Sequence, residues 1–319
     1  MTARAYYSTD GSAPTLANSQ NSLASLLYSV LVTGYGAKSG LGWTREFTGT
    51  GKAVFKQGSG GIGHVFRIDD DVSGGSYAYA NITIGKGATD VDTLIDGPGT
   101  ILRMYKLPSP AATGLHWVVA GNEKGFWFGT KRLDSTNVWT FFWVGESVSA
   151  FPTSKPDKLP FFMGGNTAND YDGPTLFTTT VSTPMTSLAA MGGPDGTLAA
   201  ANLGAVVDNQ FLSTAANQNW PGPNNALQAV GRSVFYGTWA NAQAAIRLNG
   251  GMLLKGRWPG HVLSPYLDNF EDGFNNPEFT ITNGYKTSAT YKMFRQKTES
   301  AGSDPQHALL LEISDTWDN

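Results

Sequence analysis

Leu23, Leu26, Leu27, Val30 and Leu31 recur at intervals of three and four residues. This is the period that places side chains on one face of a helix, and it predicts an amphipathic helix over Asn21 to Val32. Ser19 and Asn21 are residue types that cap a helix start, and Gly34 and Gly36 are of the type that ends one. From Gly42 the pattern shortens to runs of aromatic and β-branched residues at Trp43–Phe47, Ala53–Lys56, His64–Ile68 and Tyr77–Ile84, separated by glycine or aspartate clusters. Such runs predict strands joined by tight turns.

Thr89–Ile95 has the length of a two-turn helix between Gly87 and Gly97-Pro98-Gly99, or of a loop crossing the sheet. Leu115–Ala120, Phe126–Thr130 and Val138–Val144 predict a three-stranded meander, with Gly121-Asn122-Glu123-Lys124-Gly125 as the first hairpin connection. Pro152, Pro156 and Pro160 remove backbone donors and restrict the residues before them, which sets a boundary near Lys155–Pro160. Gly164 to Asn249 has weak periodicity and reads as loops with a few short strands. Met252–Arg257, Glu278–Thr282, Ser288–Phe294 and Ala308–Ile313 restore the strand signal, with Leu309-Leu310-Leu311 as a buried strand and Asp315 to Asn319 as a tail.

The expected organisation is an N-terminal helix plus β domain over 1–158, a loop-rich middle region over 159–249 and a C-terminal β unit over 250–319. The fold class is mainly β, with one short N-terminal amphipathic helix and antiparallel β domains of sandwich or barrel type. Composition agrees: charged residues make up 15% and glycine contributes 39 of 319 residues, the balance of a turn-rich β protein. No fixed-period repeat marks a propeller or solenoid.

Charge and sulfur narrow the functional classes. A net charge of -3 without a Lys/Arg run offers no counterion-releasing patch, which argues against a nucleic-acid partner. The absence of cysteine removes disulfides, thiolate metal sites and thiol nucleophiles together. Met1 to Asp10 lacks the basic start and apolar core of a signal peptide, and no run approaches the ~20 apolar residues of a membrane helix. The expectation is synthesis in the cytoplasm and no membrane partner.

Several segments carry candidate chemistry, each with a plainer reading. Gly58-Ser59-Gly60-Gly61-Ile62-Gly63-His64 has the glycine content of a phosphate cradle but lacks the Lys-Ser/Thr ending, which favours a flexible hairpin loop. Asp69-Asp70-Asp71 offers hard oxygens to Ca²⁺ without EF-hand spacing, and reads as a solvated turn. Asp90, Asp92 and Asp96 supply carboxyls for a glycosidase-type pair, which requires two acids across a cleft at roughly 5–10 Å. His64, His116, His261 and His307 are dispersed and form no HExxH pattern, and no Gly-x-Ser-x-Gly elbow is present. Trp117, Trp127, Trp139 and Trp143, among Phe126, Phe128, Phe141 and Phe142, have faces that stack on sugars, but alternating aromatics in strands favour core or interface packing. No catalytic, cofactor-binding or metal residue is assigned, and no cofactor or enzymatic activity is expected.

Tyr7-Ser8-Thr9-Asp10-Gly11-Ser12-Ala13-Pro14-Thr15-Leu16, the Leu-rich helix with Gly34-Tyr35-Gly36, Gly42-Trp43-Thr44 and Lys52-Ala53-Val54-Phe55-Lys56-Gln57-Gly58 resemble a family of tailed-bacteriophage virion structural proteins. Trp117-Val118-Val119-Ala120-Gly121-Asn122-Glu123, Phe142-Trp143-Val144-Gly145-Glu146 and Leu311-Glu312-Ile313-Ser314-Asp315-Thr316-Trp317 are similar too, so the resemblance touches both ends and leaves the middle uncovered. Trp258-Pro259-Gly260-His261-Val262-Leu263-Ser264-Pro265 is only partly similar to the regular Gly/Pro-rich passage of that pattern. The resemblance implies a non-enzymatic subunit of the tail, baseplate or neck, localised in the virion, whose partners are copies of itself and neighbouring virion proteins. It supplies no site residue. The alternatives are a capsid decoration protein, a host-receptor or glycan-binding virion module and, last, a glycan hydrolase.

Overall fold

The computed structural model describes residues 4–17, 19–70, 79–97, 102–105, 116–131, 139–146, 148–149, 161–165, 187–191, 199–201, 203–207, 210–213, 227–232, 241–247, 254–257, 261–264, 278–281, 289–295, 308–314 and 317. In chain order the elements are β1 (Arg4–Tyr7), α1 (Ser22–Tyr28) running into a π-helical turn at Ser29–Thr33, β2 (Thr44–Gly49), β3 (Lys52–Lys56), β4 (Val65–Asp69) and β5 (Tyr79–Gly85). Then come β6 (Gly87–Ala88), β7 (Leu94–Ile95), β8 (Leu102–Tyr105), β9 (Trp117–Asn122), β10 (Gly125–Lys131), β11 (Trp139–Glu146), β12 (Val148–Ser149) and β13 (Phe161–Gly165). The remainder is β14 (Ser187–Met191), β15 (Ala199–Ala201), β16 (Leu203–Val207), β17 (Gln210–Ser213), β18 (Leu227–Arg232), β19 (Asn241–Arg247), β20 (Leu254–Arg257), β21 (His261–Ser264), β22 (Phe279–Ile281), β23 (Ala289–Arg295) and β24 (Ala308–Glu312). The protein is mainly β, as its periodicity predicts.

A seven-stranded sheet, β1-β9-β10-β11-β13-β14-β15, is the centre of the molecule. Period-2 alternation sends Trp117, Val119, Phe126, Phe128, Phe142 and Val144 to one face, where they share a core with α1 and with Phe55, Phe66, Ile68, Ile82 and Ile84 of the five-stranded sheet β2-β3-β4-β5-β8. Trp43 seals that layer, its ring edge-on to Phe66 at 5.5 Å and to Phe126 at 5.6 Å. The opposite face carries Trp127, Trp139, Phe141 and Trp143. Phe294 of the four-stranded sheet β21-β24-β23-β22 packs on Trp139 at 4.9 Å and on Phe141 at 5.4 Å. Apolar cover on both faces accounts for the nearly unbroken aromatic run of β11.

Helix α1 forms on its leucine face, and Leu23, Leu26, Leu27, Val30 and Leu31 are all buried. Its start departs from expectation. Asn21 sits at φ 64 and makes no capping bond with its side chain, and Ser19 meets the helix through its carbonyl, which accepts from Ser22 N at 3.3 Å. The cap comes from Asp70, whose Oδ2 accepts from Leu23 N at 2.7 Å and Ala24 N at 3.4 Å. A buried carboxylate thus satisfies the helix's first donors and complements its dipole. At the far end Gly34 N donates to Ser29 O at 2.6 Å, and Gly34 has φ 79 where a Cβ would meet Lys38 O at 2.1 Å, so glycine ends the helix as expected.

Three further features differ from the sequence reading. Thr89–Ile95 forms no helix: β6 and β7 pair as a hairpin, a two-stranded sheet, because Asp90 Oδ1 accepts from Asp92 N at 2.7 Å and closes a local turn instead. Strand β1, which the periodicity does not mark, pairs antiparallel with β9. Strands β11 and β13, which flank Pro152, Pro156 and Pro160 in the sequence, pair antiparallel. Trp317, expected in a tail, is buried, stacked at 6.1 Å on Trp143, with Nε1 donating to Glu312 O at 3.0 Å. The middle of the chain contributes β16 to β19, which join β12 and β20 in a six-stranded sheet with one parallel pair, β16 and β18. Gly97 lies among the described residues, while Pro98, Gly99 and the predicted boundary Lys155–Pro160 lie outside them.

Replacing Asp70 removes the acceptor for two backbone donors that are shielded from water. Asp70→Ala is expected to lower unfolding free energy by about 2 kcal/mol, and Asp70→Asn, which keeps an acceptor, by less. Urea denaturation of the three proteins checks the order.

Candidate functional site

The glycine loop between β3 and β4 is a polar junction that ties several chain segments together. Gln57 opens it, its N donating to His64 O and its Oε1 accepting from His64 N, each at 3.0 Å. Gly58 N donates to Glu123 O at 3.0 Å, and a Cβ on Gly58 would lie 2.5 Å from Gly42 O, so the close approach of three chain segments requires glycine there. Gln57 Nε2 donates to Lys124 O at 2.6 Å and to Glu146 Oε1 at 2.8 Å, and Ile62 N donates to the same carboxylate oxygen at 2.7 Å. Asn122 completes the junction: its Oδ1 accepts from Lys124 N at 2.8 Å, and its carbonyl accepts from Trp43 Nε1 at 2.9 Å.

This arrangement corrects the phosphate reading. The loop joins two antiparallel strands, no helix follows it, and the Ile62 N–H is already turned to a buried carboxylate that repels a phosphate. The hairpin-loop expectation stands in its place.

Burial pushes the Glu146 carboxyl above its ordinary range, against the lowering pull of the Ile62 N–H, the Gln57 amide and the Lys124 charge. Burial also pushes the His64 imidazole down to about 4, with the Lys86 charge adding to it, and the ring stands edge-on to Phe161 at 5.6 Å. His64 is therefore neutral in the folded protein near neutral pH.

The acidic segments resolve into separate structural duties. Asp70 caps α1, and so forms neither a calcium loop nor a solvated turn; Asp69 lies 3.9 Å from Lys52, and Asp71 is outside the described residues. Asp92 pairs with Lys52 at 2.7 Å and Asp96 with Lys86 at 3.2 Å, both on the exposed hairpin. The backbone N–H of Asp92 holds the Asp90 carboxyl below its ordinary value. Trp117, Trp127, Trp139 and Trp143 have 0% exposure, which bears out the packing reading and leaves no sugar-stacking face on them. His116 Nδ1 lies 3.3 Å from Ser8 Oγ, but Ser8 N is committed to Trp117 O at 3.0 Å and supplies no oxyanion donor. The His261 side chain and His307 lie outside the described residues, among which no group of three or more His, Asp or Glu is placed to hold a metal.

One cluster escapes the sequence reading. Asp10 Oδ2 accepts from Lys38 Nζ at 2.6 Å, Tyr35 Oη at 2.7 Å and Tyr7 N at 2.8 Å. Burial, then the hydrogen bond to Asp10, raises the Tyr35 phenol above its usual value, and burial does the same for Tyr7, so neither serves as a phenolate nucleophile at neutral pH. The residues stand 25 and 28 positions apart, with no local motif to announce them.

Compared with protein-family models, with curated proteins and with solved structures, the chain matches none of them. Among the described residues no helix is long and apolar enough to cross a membrane.

His64 and Glu146 give pH dependences of opposite sign. Between its ordinary 6.5 and about 4, His64 takes up a proton in the unfolded chain but not in the folded one, so its contribution to stability is lost as pH falls through that window. Glu146 holds its proton to higher pH when folded, so its contribution falls as pH rises above the ordinary 4.5 and through the raised value. His64→Gln is expected to flatten the first slope and Glu146→Gln the second, in denaturation midpoints measured from about pH 4 to about pH 8.

Proposed function

We propose that the chain is a non-enzymatic structural subunit of a tailed-bacteriophage particle, built into the tail, baseplate or neck and joined to copies of itself and to neighbouring virion proteins. The observation that carries this reading is the meeting of the phage-like segments around one sheet. Pro14 O accepts from Trp117 Nε1 at 3.0 Å, Trp43 bonds Asn122, Gly58 bonds Glu123, Gln57 bonds Glu146, and Trp317 stacks on Trp143. Segments dispersed from residue 14 to residue 317 that share one resemblance and meet on one sheet behave as a structural frame rather than as a reaction centre.

The fates of the polar groups support the same reading. Asp10, Asp70 and Glu146 hold the chain's own backbone N–H groups. A subunit that works by shape needs such fixation, because assembly interfaces act through complementary rigid surfaces. A glycan-binding module would need exposed aromatic faces, and the tryptophans considered for it are interior.

Cryo-electron microscopy of the purified particle, with this chain fitted into the density, tests the proposal. Symmetric copies in the tail, baseplate or neck are expected. A lattice over the head would make it a decoration protein instead, and absence from the particle would overturn a virion role.

A further inference from the structure

An edge strand offers unpaired backbone groups to any passing strand, and proteins cover such edges. β1 is the edge of the central sheet. Ser8 N bonds Trp117 O, and the register Tyr6↔Val119 and Arg4↔Gly121 then makes Arg4, Tyr6 and Ser8 the residues bonded to β9. By the alternation of antiparallel ladders, the backbone groups of Ala5 and Tyr7 point away from the sheet.

Three of those groups are taken up by the Asp10 cluster. Tyr7 N donates to Asp10 Oδ2 at 2.8 Å, Tyr7 O accepts from Asp10 N at 3.0 Å as well as from Tyr35 Oη at 3.3 Å, and Ala5 O accepts from Lys38 Nζ at 2.9 Å. The loop bearing Tyr35 and Lys38 lies along the strand. Tyr35 and Lys38 exchange backbone bonds of 3.0 Å, Arg4 Nη1 donates to Gly40 O at 3.1 Å, and the Tyr6 hydroxyl donates to Ser39 O. Gly34 at φ 79 and Gly36 at φ 56 give the loop its departure from the helix.

We propose that loop 34–40 is an edge guard, clipped by Asp10, Tyr35 and Lys38, that keeps β1 from adding a strand of a second copy of this chain. Unclipped, two β1 strands are self-complementary about a two-fold axis at Tyr6: Tyr7 of one copy faces Ala5 of the other, so the outward Tyr7 N–H meets Ala5 C=O and the outward Ala5 N–H meets the second lone pair of Tyr7 C=O. Asp10 is the hub of the clip, because Tyr7, Tyr35 and Lys38 converge on one of its oxygens. The inference stands on the edge geometry and holds whether or not the chain belongs to a virion.

The test compares the full-length wild type with Asp10→Ala and with the double variant Tyr35→Phe/Lys38→Met, which leaves the Asp10 bond to Tyr7 N in place. Sedimentation velocity over a concentration series is read beside hydrogen exchange at the Tyr7 amide. In dilute Asp10→Ala that amide is expected to exchange at least about tenfold faster than in wild type, the loss of one charge-assisted bond. As concentration rises it becomes protected again, together with a shift to a species heavier than any the wild type forms. Adding Ala5→Pro, which removes an outward donor without touching the β1–β9 ladder, abolishes the added association. Should Asp10→Ala not fold, the double variant carries the same expectation of heavier species reversed by Ala5→Pro. Wild-type sedimentation in the folded variants at every concentration, or association that persists with Ala5→Pro, would overturn the proposal.

Discussion

Burying both faces of β9, β10 and β11 removes water from the ends and edges of those strands as well as from their side chains. Every backbone donor and acceptor at the margin must then find a partner inside the protein, because an unmet one costs about 1–3 kcal/mol. Much of the described polar architecture follows from that demand. The hairpin after β9 is closed by Asn122, the end of β11 by Glu146 and Lys124, and the outer side of β1 by Asp10, Tyr35 and Lys38.

The same device appears at three places. Asp10, Asp70 and Glu146 each direct a carboxylate oxygen at backbone N–H groups, at a strand edge, a helix start and a loop respectively. A carboxylate accepts from several donors at once, so one side chain ties two chain segments that no ladder joins. The arrangement also explains why these three acids do not converge on a shared point. Each is turned to a different stretch of backbone.

The periodic elements were legible in the sequence because their signal is local. The leucine spacing of α1 and the aromatic runs of β3, β4, β10 and β11 follow directly from which face is buried. Strand β1 has only Arg-Ala-Tyr-Tyr to announce it, and β6 and β7 are hidden by an aspartate turn that reads equally as a short helix. The carboxylate-to-backbone bonds were out of reach for a different reason: Asp70 acts 47 residues from Leu23, and Glu146 acts 84 residues from Ile62. No spacing rule joins such pairs before the fold does. Trp317 was similarly invisible, since a lone tryptophan near an acidic end carries no period and gains its place only by stacking on Trp143.

Buried carboxylates hold this frame by accepting from backbone donors, and amide hydrogen exchange at Leu23 and Ile62 in the intact protein is the sharpest check on that role. Both amides are expected to exchange only through global unfolding, with protection that tracks the denaturation free energy. Rapid exchange at either amide under conditions where β10 and β11 stay protected would contradict it.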